Sequence, residues 1–174
     1  MKCLLAILAL SMPASAAAEV VGSNNNGFEL RRTVDLRLPP RAAFDAFTQI
    51  SRWWDKAHTY SGNSANLSLV LRPGGCFCEA LPRGGGVEHM RVSYLAPGER
   101  LVMTGSLGPL LYEATSGVMD VRVARTAGGS RLTLDYKVAG FANGGAAKLA
   151  PFVDAVLAGQ LDRYRRYAAR PRRF

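Results

Sequence analysis

A regular cadence in the middle of this chain restricts its fold more than any other feature. From Leu67 to Val138, short apolar runs are cut at regular short intervals by glycine- and proline-rich turn signals. The runs are Leu67 to Leu71, Cys76 to Leu81, Val87 to Leu95, Arg100 to Ser106, Gly117 to Arg125 and Arg131 to Val138. Between them fall Pro73-Gly74-Gly75, Pro82-Arg83-Gly84-Gly85-Gly86, Pro97-Gly98, a Gly/Pro-containing connection and Ala127-Gly128-Gly129. Runs of that length joined by such turns predict an antiparallel meander with at least two hairpins.

Two helices frame the meander. Phe28 to Leu38 roughly alternates, with Val34, Leu36 and Leu38 on one face, and reads as a half-buried strand. Pro39-Pro40 ends it and opens a helix, because proline suits a helix's first turn. Ala43, Phe44, Phe47 and Ile50 then recur at helical spacing up to Trp53-Trp54, and Asp55 to Asn66 reads as a loop. At the far end Leu149, Phe152, Val153, Val156, Leu157, Gln160, Leu161, Tyr164 and Tyr167 share one face of a long helix. Lys148, Asp154, Asp162, Arg165 and Arg166 take the other face. Pro151 places the helix start near Ala146 or Ala147. Gly159, a weak point in that helix, predicts a close approach to another element.

This element order defines an α+β class with a physical consequence. A strongly twisted antiparallel sheet curls, and one amphipathic helix across its concave side closes the interior. A single helix seldom fills that space, so a cavity of small-molecule size between sheet and helix is expected.

The N-terminus reads as a secretory leader. Lys2 precedes the apolar run Leu4 to Leu10, Ser11-Met12-Pro13 breaks it, and small residues follow, with cleavage after Ala16 or Ala18. The expected organisation is a leader at 1–18, a flexible segment at 19–27, one domain at 28–168 and a basic tail at 169–174. Periplasmic or secreted localisation follows. Of the 22 basic residues, Arg163, Arg165, Arg166, Arg170, Arg172 and Arg173 crowd the last dozen positions, leaving the body nearly neutral despite a net charge of +9. Those arginines suit the negative end of the helix dipole. Their alternative use is weak contact with an anionic membrane surface, as an envelope interaction protein. Nucleic acid is not expected as a partner, and the chain is read as monomer or homodimer.

Several stretches add a resemblance. They are Pro39-Pro40-Arg41-Ala42-Ala43-Phe44, Trp53-Trp54-Asp55, Pro73-Gly74-Gly75-Cys76-Phe77, Val92 to Leu101 around Pro97-Gly98, and Val156-Leu157-Ala158-Gly159-Gln160-Leu161. In order and spacing they resemble the START/SRPBCC superfamily of helix-grip proteins, whose relatives include polyketide cyclases, pollen-allergen-type carriers and heat-shock ATPase activator homologues. The bacterial branch related to the ATPase activators is the nearest in appearance, with a distinctive loop from Trp54 to Gly62. The resemblance implies a curved antiparallel sheet of about seven strands wrapped around a long C-terminal helix. It implies no single function, since this fold hosts carriers, cyclases and regulators. Chaperone activation does not suit an exported protein.

The candidate ligand-binding residues are Trp53, Trp54, His58, Tyr60, Cys76, Cys78, Glu88, Met90, Tyr94, Met103, Tyr112, Tyr136, Phe152 and Val156. The aromatic cluster Trp53, Trp54, His58 and Tyr60 either lines a cavity mouth or splits between core plug and loop. Cys76 and Cys78 share one strand face. They are read foremost as two buried or pocket-lining thiols, then as a redox pair needing a local kink, and last as metal ligands, their spacing fitting no standard zinc pattern. No metal or cofactor is expected. Glu88, His58 and His89 are the catalytic candidates. If Glu88 faces inward with Met90, Val92 and Tyr94, its carboxyl serves as a general acid or base. The alternative is a surface pair in which Glu79 and His89 face solvent across the hairpin. Met119 is a further inward candidate, and Phe141-Ala142-Asn143-Gly144-Gly145 is a candidate gate. The first expectation is therefore a carrier of an apolar or aromatic, lipid-like or polyketide-like molecule. The second is a cyclase, dehydratase or hydrolase using Glu88.

Overall fold

Alternation of apolar and polar residues builds one sheet with a buried and an exposed face. The computed structural model describes residues 18–170. Its strands are β1 (Ala18–Asn24), β2 (Gly27–Leu36), β3 (Leu67–Leu69), β4 (Cys76–Ala80), β5 (Gly86–Ala96), β6 (Arg100–Gly105), β7 (Ala114–Thr126) and β8 (Gly129–Phe141). They form a single antiparallel sheet in the order β1-β2-β8-β7-β6-β5-β4-β3. Helix α1 (Pro40–Thr48) starts on its proline as expected, and α2 (Ala150–Ala168) carries Pro151 in its first turn. A short 3-10 turn over Ala146–Lys148 precedes α2, so the regular helix begins a few residues later than the spacing predicts. The fold is α+β and helix-grip, with α2 packed across the sheet.

The eighth strand, β1, is the element missed by the sequence reading. The stretch expected to be flexible pairs with β2 from Ala18↔Arg32 to Asn24↔Gly27, with a bulge between Val20 and Gly22. Apart from Ala18, the expected leader lies outside the described residues, as does the end of the basic tail beyond Arg170.

The interior is filled at one end. Phe44 and Phe47 of α1, Ile50, Trp53, Leu161 and Tyr164 are buried against sheet residues such as Met103, Met119 and Leu134. Trp53 donates from its indole nitrogen to the Phe47 carbonyl at 3.0 Å, and the Tyr164 hydroxyl donates to the Ala43 carbonyl at 2.9 Å. The first folds the turn after α1 back onto that helix, and the second ties α2 to α1. On the opposite face of the sheet, charges ladder across the strands. Arg100 pairs with Asp120, Arg122 with Asp120 and Asp135, and Arg31 with Asp135.

Two readings of α2 need correction. Asp154, expected on the solvated face, pairs with Arg32, whose position in β2 falls in line with inward-facing Phe28, Leu30 and Val34. The guanidinium donates from two nitrogens to the two carboxylate oxygens at 2.9 and 2.7 Å, which ties the helix to the sheet. Gly159 is exposed, and nothing lies within 4 Å of where a Cβ would stand, so no close approach explains it.

Candidate functional site

Two extra residues in β5 decide what the interior contains. Pairing with β4 runs Cys76↔Arg91, Phe77↔Met90, then Cys78↔Glu88, which leaves His89 as a bulge. Because of it, His89 and Met90 are both buried, whereas simple alternation would expose one of them. Gly105 makes room: a Cβ there would meet the His89 carbonyl oxygen and the Met90 Cα, each at 2.9 Å, and its φ of +146° is one that side-chain-bearing residues avoid. A second shift lies between Val92 and Tyr94.

The two bulges overturn two inward assignments. Glu88 lies on the outer face, 46% exposed, and pairs with Arg91 there. Tyr94 is half exposed under the Arg100 guanidinium. The catalytic role of Glu88 fails on this geometry. The solvent-facing Glu79–His89 pair is overturned too, because both side chains are buried.

Cys76 and Cys78 likewise stand on the outer face, flanking inward Phe77, and form a disulfide with Cα atoms 5.3 Å apart. They are not pocket-lining thiols. An extended strand would separate their Cα atoms by about 6.6 Å, so β4 is locally contracted at the disulfide, beside the register shift between Phe77 and Cys78.

At the end of the interior away from the Trp53 plug, α2 and the sheet enclose a cavity of ≈ 360 Å³. Its walls come from four places. The loop after α1 gives Trp54, Ala57, His58, Thr59 and Tyr60, and strands β4 and β5 give Phe77 and His89. The connection before β7 gives Leu107, Gly108, Pro109, Leu110 and Glu113. The start of α2 gives Leu149, Phe152, Val153, Val156 and Leu157. Among the candidate residues, the structure brings Trp54, His58, Tyr60, Phe152, Val156 and His89 to this cavity. Phe152, 72% exposed, stands at its mouth.

The remaining candidates are elsewhere. Trp53, Met90, Met103 and Tyr136 are core residues, as is Met119, and none lines the cavity. Burial pushes the Tyr136 hydroxyl far above its ordinary pKa, against a smaller opposing effect of the Leu107 backbone. Tyr112 is 77% exposed and meets the Tyr60 ring edge-on. The segment Phe141 to Gly145 does not line the cavity either. It is pinned by the Asn143 N–H on Glu113 and the Gly145 N–H on the Ala142 carbonyl.

Sequence reasoning missed the partner that organises the wall, Glu79. Its side chain is buried, and its two oxygens accept from the backbone N–H of Ser61 at 2.5 Å, the N–H of Tyr60 at 3.1 Å and His89 Nε2 at 3.2 Å. Glu79 thereby fastens the Trp54–Gly62 loop to β4. The other end of that loop is tied to α2. Gln160 accepts from the Asp55 N–H at 2.8 Å, and Arg163 pairs with the Asp55 carboxylate at 2.7 Å. The distinctive loop is therefore a cavity wall, and Arg163 of the basic end has an intramolecular partner.

The electrostatics follow from burial and these bonds. Burial alone would raise the Glu79 pKa, but the hydrogen bonds from Ser61, Tyr60 and His89 outweigh it and hold the carboxyl below its usual value. Burial lowers the His89 pKa, opposed in part by Glu79. Burial raises the Tyr60 hydroxyl, helped by Tyr112. Glu79 is thus an acceptor-only carboxylate, and the His89 nitrogen facing it carries the proton. The other nitrogen, Nδ1, is buried with no hydrogen-bond partner among the described residues. Chemically, the site offers a neutral imidazole oriented by a carboxylate in an otherwise largely apolar wall. The hydroxyl-bearing residues of that wall are Thr59 and Tyr60.

A pH dependence of stability results. In the unfolded chain His89 titrates near 6.5 and Glu79 near 4.5, and both fall in the fold. Below those values the unfolded state binds protons first, so both contributions are intact at higher pH and fade on acidification. Thermal unfolding should show a loss beginning as pH drops through 6.5, with a second loss below 4.5. The His89→Phe variant should lack the first. A melting temperature insensitive to pH across the upper window in the parent protein would contradict the buried neutral imidazole.

Fold and cavity together define a helix-grip protein with a small-molecule-sized interior. No family model and no curated protein matches the chain. Solved structures do match. An uncharacterised protein from Rhizobium leguminosarum aligns over 89% of this chain and 98% of its own, with a TM-score of 0.57 and 19% identity. CalU16 from Micromonospora echinospora aligns over 88% and 87%, with a TM-score of 0.59 and 15% identity. Mll3558 from Rhizobium loti aligns over 81% and 95%, with a TM-score of 0.58 and 21% identity. At these identities the shared property is the fold.

Proposed function

We propose that this protein is an exported carrier or sensor that holds an apolar or aromatic small molecule between the sheet and α2. The observation behind this reading is the ≈ 360 Å³ cavity, walled mainly by Trp54, Phe77, Leu107, Leu110 and the apolar face of α2. That size lies at the lower end of ligand pockets, which run to about 300–1,000 Å³. A wall this apolar favours a guest that loses little on leaving water. Export rests on the leader-like N-terminus, and the oxidised Cys76–Cys78 pair suits an oxidising compartment.

Trp54 in the wall is a built-in reporter. Titration with planar apolar molecules should change the indole emission, and native mass spectrometry should find a copurifying or added ligand. Val156→Trp, which fills the cavity from the half-buried face of α2, should weaken binding at least about tenfold while costing no more than about 1–3 kcal/mol of stability. Unchanged affinity in that variant, with the fold intact, would place the ligand elsewhere and remove this reading.

A further inference from the structure

The cavity carries more information than its volume, because one polar atom beside it lacks a partner. His89 is 4% exposed, and its Nδ1 has no hydrogen-bond partner among the described residues. Its other nitrogen is committed to Glu79, which also receives the N–H groups of Tyr60 and Ser61. A carboxylate held ionised by the N–H groups of Tyr60 and Ser61 has no proton to give the ring, so Nε2 holds the hydrogen and Nδ1 presents a lone pair. A protonated ring would instead leave an N–H orphaned in the interior, which is costlier. The ring itself stands in the cavity wall, flanked by Phe77 at 5.0 Å and stacked with Tyr60 at 5.9 Å between centroids.

The charges of the wall point the same way. Glu113 belongs to it, and among the described residues no lysine or arginine lines it. Glu79 adds a second negative charge immediately behind His89. An anionic guest such as a fatty acid or aromatic carboxylate would meet one acidic residue in the wall and a second charge behind His89, with no cation among the described lining residues.

Resting on the carrier reading above, we infer that the cavity selects neutral, hydroxyl-bearing apolar molecules, with a phenol- or alcohol-type O–H donating to His89 Nδ1. The imidazole acts as a specificity acceptor, and Glu79 positions it.

Three probes of one shape separate the claims: 2-naphthol, its methyl ether and 2-naphthoate, measured by isothermal titration calorimetry on the purified protein. The ether leaves the buried acceptor unpaired, a desolvation cost the phenol avoids. Naphthol should therefore bind roughly tenfold more tightly than the ether, with naphthoate weakest. His89→Phe keeps a ring but removes the acceptor, and should erase the difference between naphthol and ether. Nitrogen-15 NMR of the parent protein gives a readout independent of any variant: the unprotonated Nδ1 resonance should shift upfield when naphthol binds and stay in place with the ether. Equal affinity for naphthol and ether, or a motionless Nδ1 signal, overturns the donor inference and leaves the carrier reading standing. Naphthoate binding as tightly as naphthol overturns the charge selection. Failure of all three to bind removes the carrier reading and this inference with it.

Discussion

Replacing Asp154 by alanine is expected to destabilise the protein by about 3–5 kcal/mol, because it strands a buried guanidinium without its counter-ion. The Arg32 side chain is 6% exposed and Asp154 is 15% exposed. The partner sits 122 residues away in sequence, on the helix that closes the interior. Truncating Asp154 therefore leaves a positive charge between β2 and α2 without the carboxylate that pairs with it. Equilibrium urea unfolding of the single variant, and of Arg32→Leu combined with Asp154→Leu, would read this directly. The double change should recover most of the loss, since two apolar side chains of similar bulk avoid the desolvation cost. A single variant within about 1 kcal/mol of the parent, the size of a surface ion pair, would mean that water reaches the pair.

Glu79→Ala should have the second largest effect, about 2–4 kcal/mol, because it leaves several donors without an acceptor. Those donors are the Tyr60 and Ser61 N–H groups and His89 Nε2. The loss should also reach binding. The freed loop carries Trp54, His58 and Tyr60, so the cavity would lose one wall and His89 its orientation. Glu79→Gln retains one acceptor oxygen and should fall between parent and alanine in both measurements. If Glu79→Ala melted with the parent and bound the same ligand equally well, the loop would owe its position to Gln160 and Arg163 alone.

Where the sequence was readable, the reason was periodicity. The turns that cut Leu67 to Val138, the proline opening α1 and the apolar face of α2 all follow from local rules. They placed seven of the eight strands and the two helices. The eighth, β1, has no apolar alternation across Val20-Val21-Gly22-Ser23-Asn24 and holds its place through pairing with β2. The interior was less legible. A period-two reading of Val87 to Leu95 fails because His89 and Ser93 are each an extra residue, and each insertion reverses the face of what lies beyond it. That single effect misplaced Glu88 and Tyr94 and hid the Glu79–His89 pair. Asp154 failed for another reason. Charge on a helix reads as solvated surface until the opposite charge, far off in the chain, is known to meet it. The Trp54–Gly62 loop did stand out as unusual. Its role as a wall depends on Glu79, which only the fold brings beneath it.

Helix α2 divides its labour along its length. Toward its C-terminal end, Leu161 and Tyr164 belong to the solid part of the molecule, while Leu149, Phe152, Val153 and Val156 at its start face the hollow part. Leu157 is the boundary between them. Drift at the hollow end can recut the outline of the cavity while the anchoring end still holds the chain together, so chains of one shape can diverge in their interior without first becoming fragile.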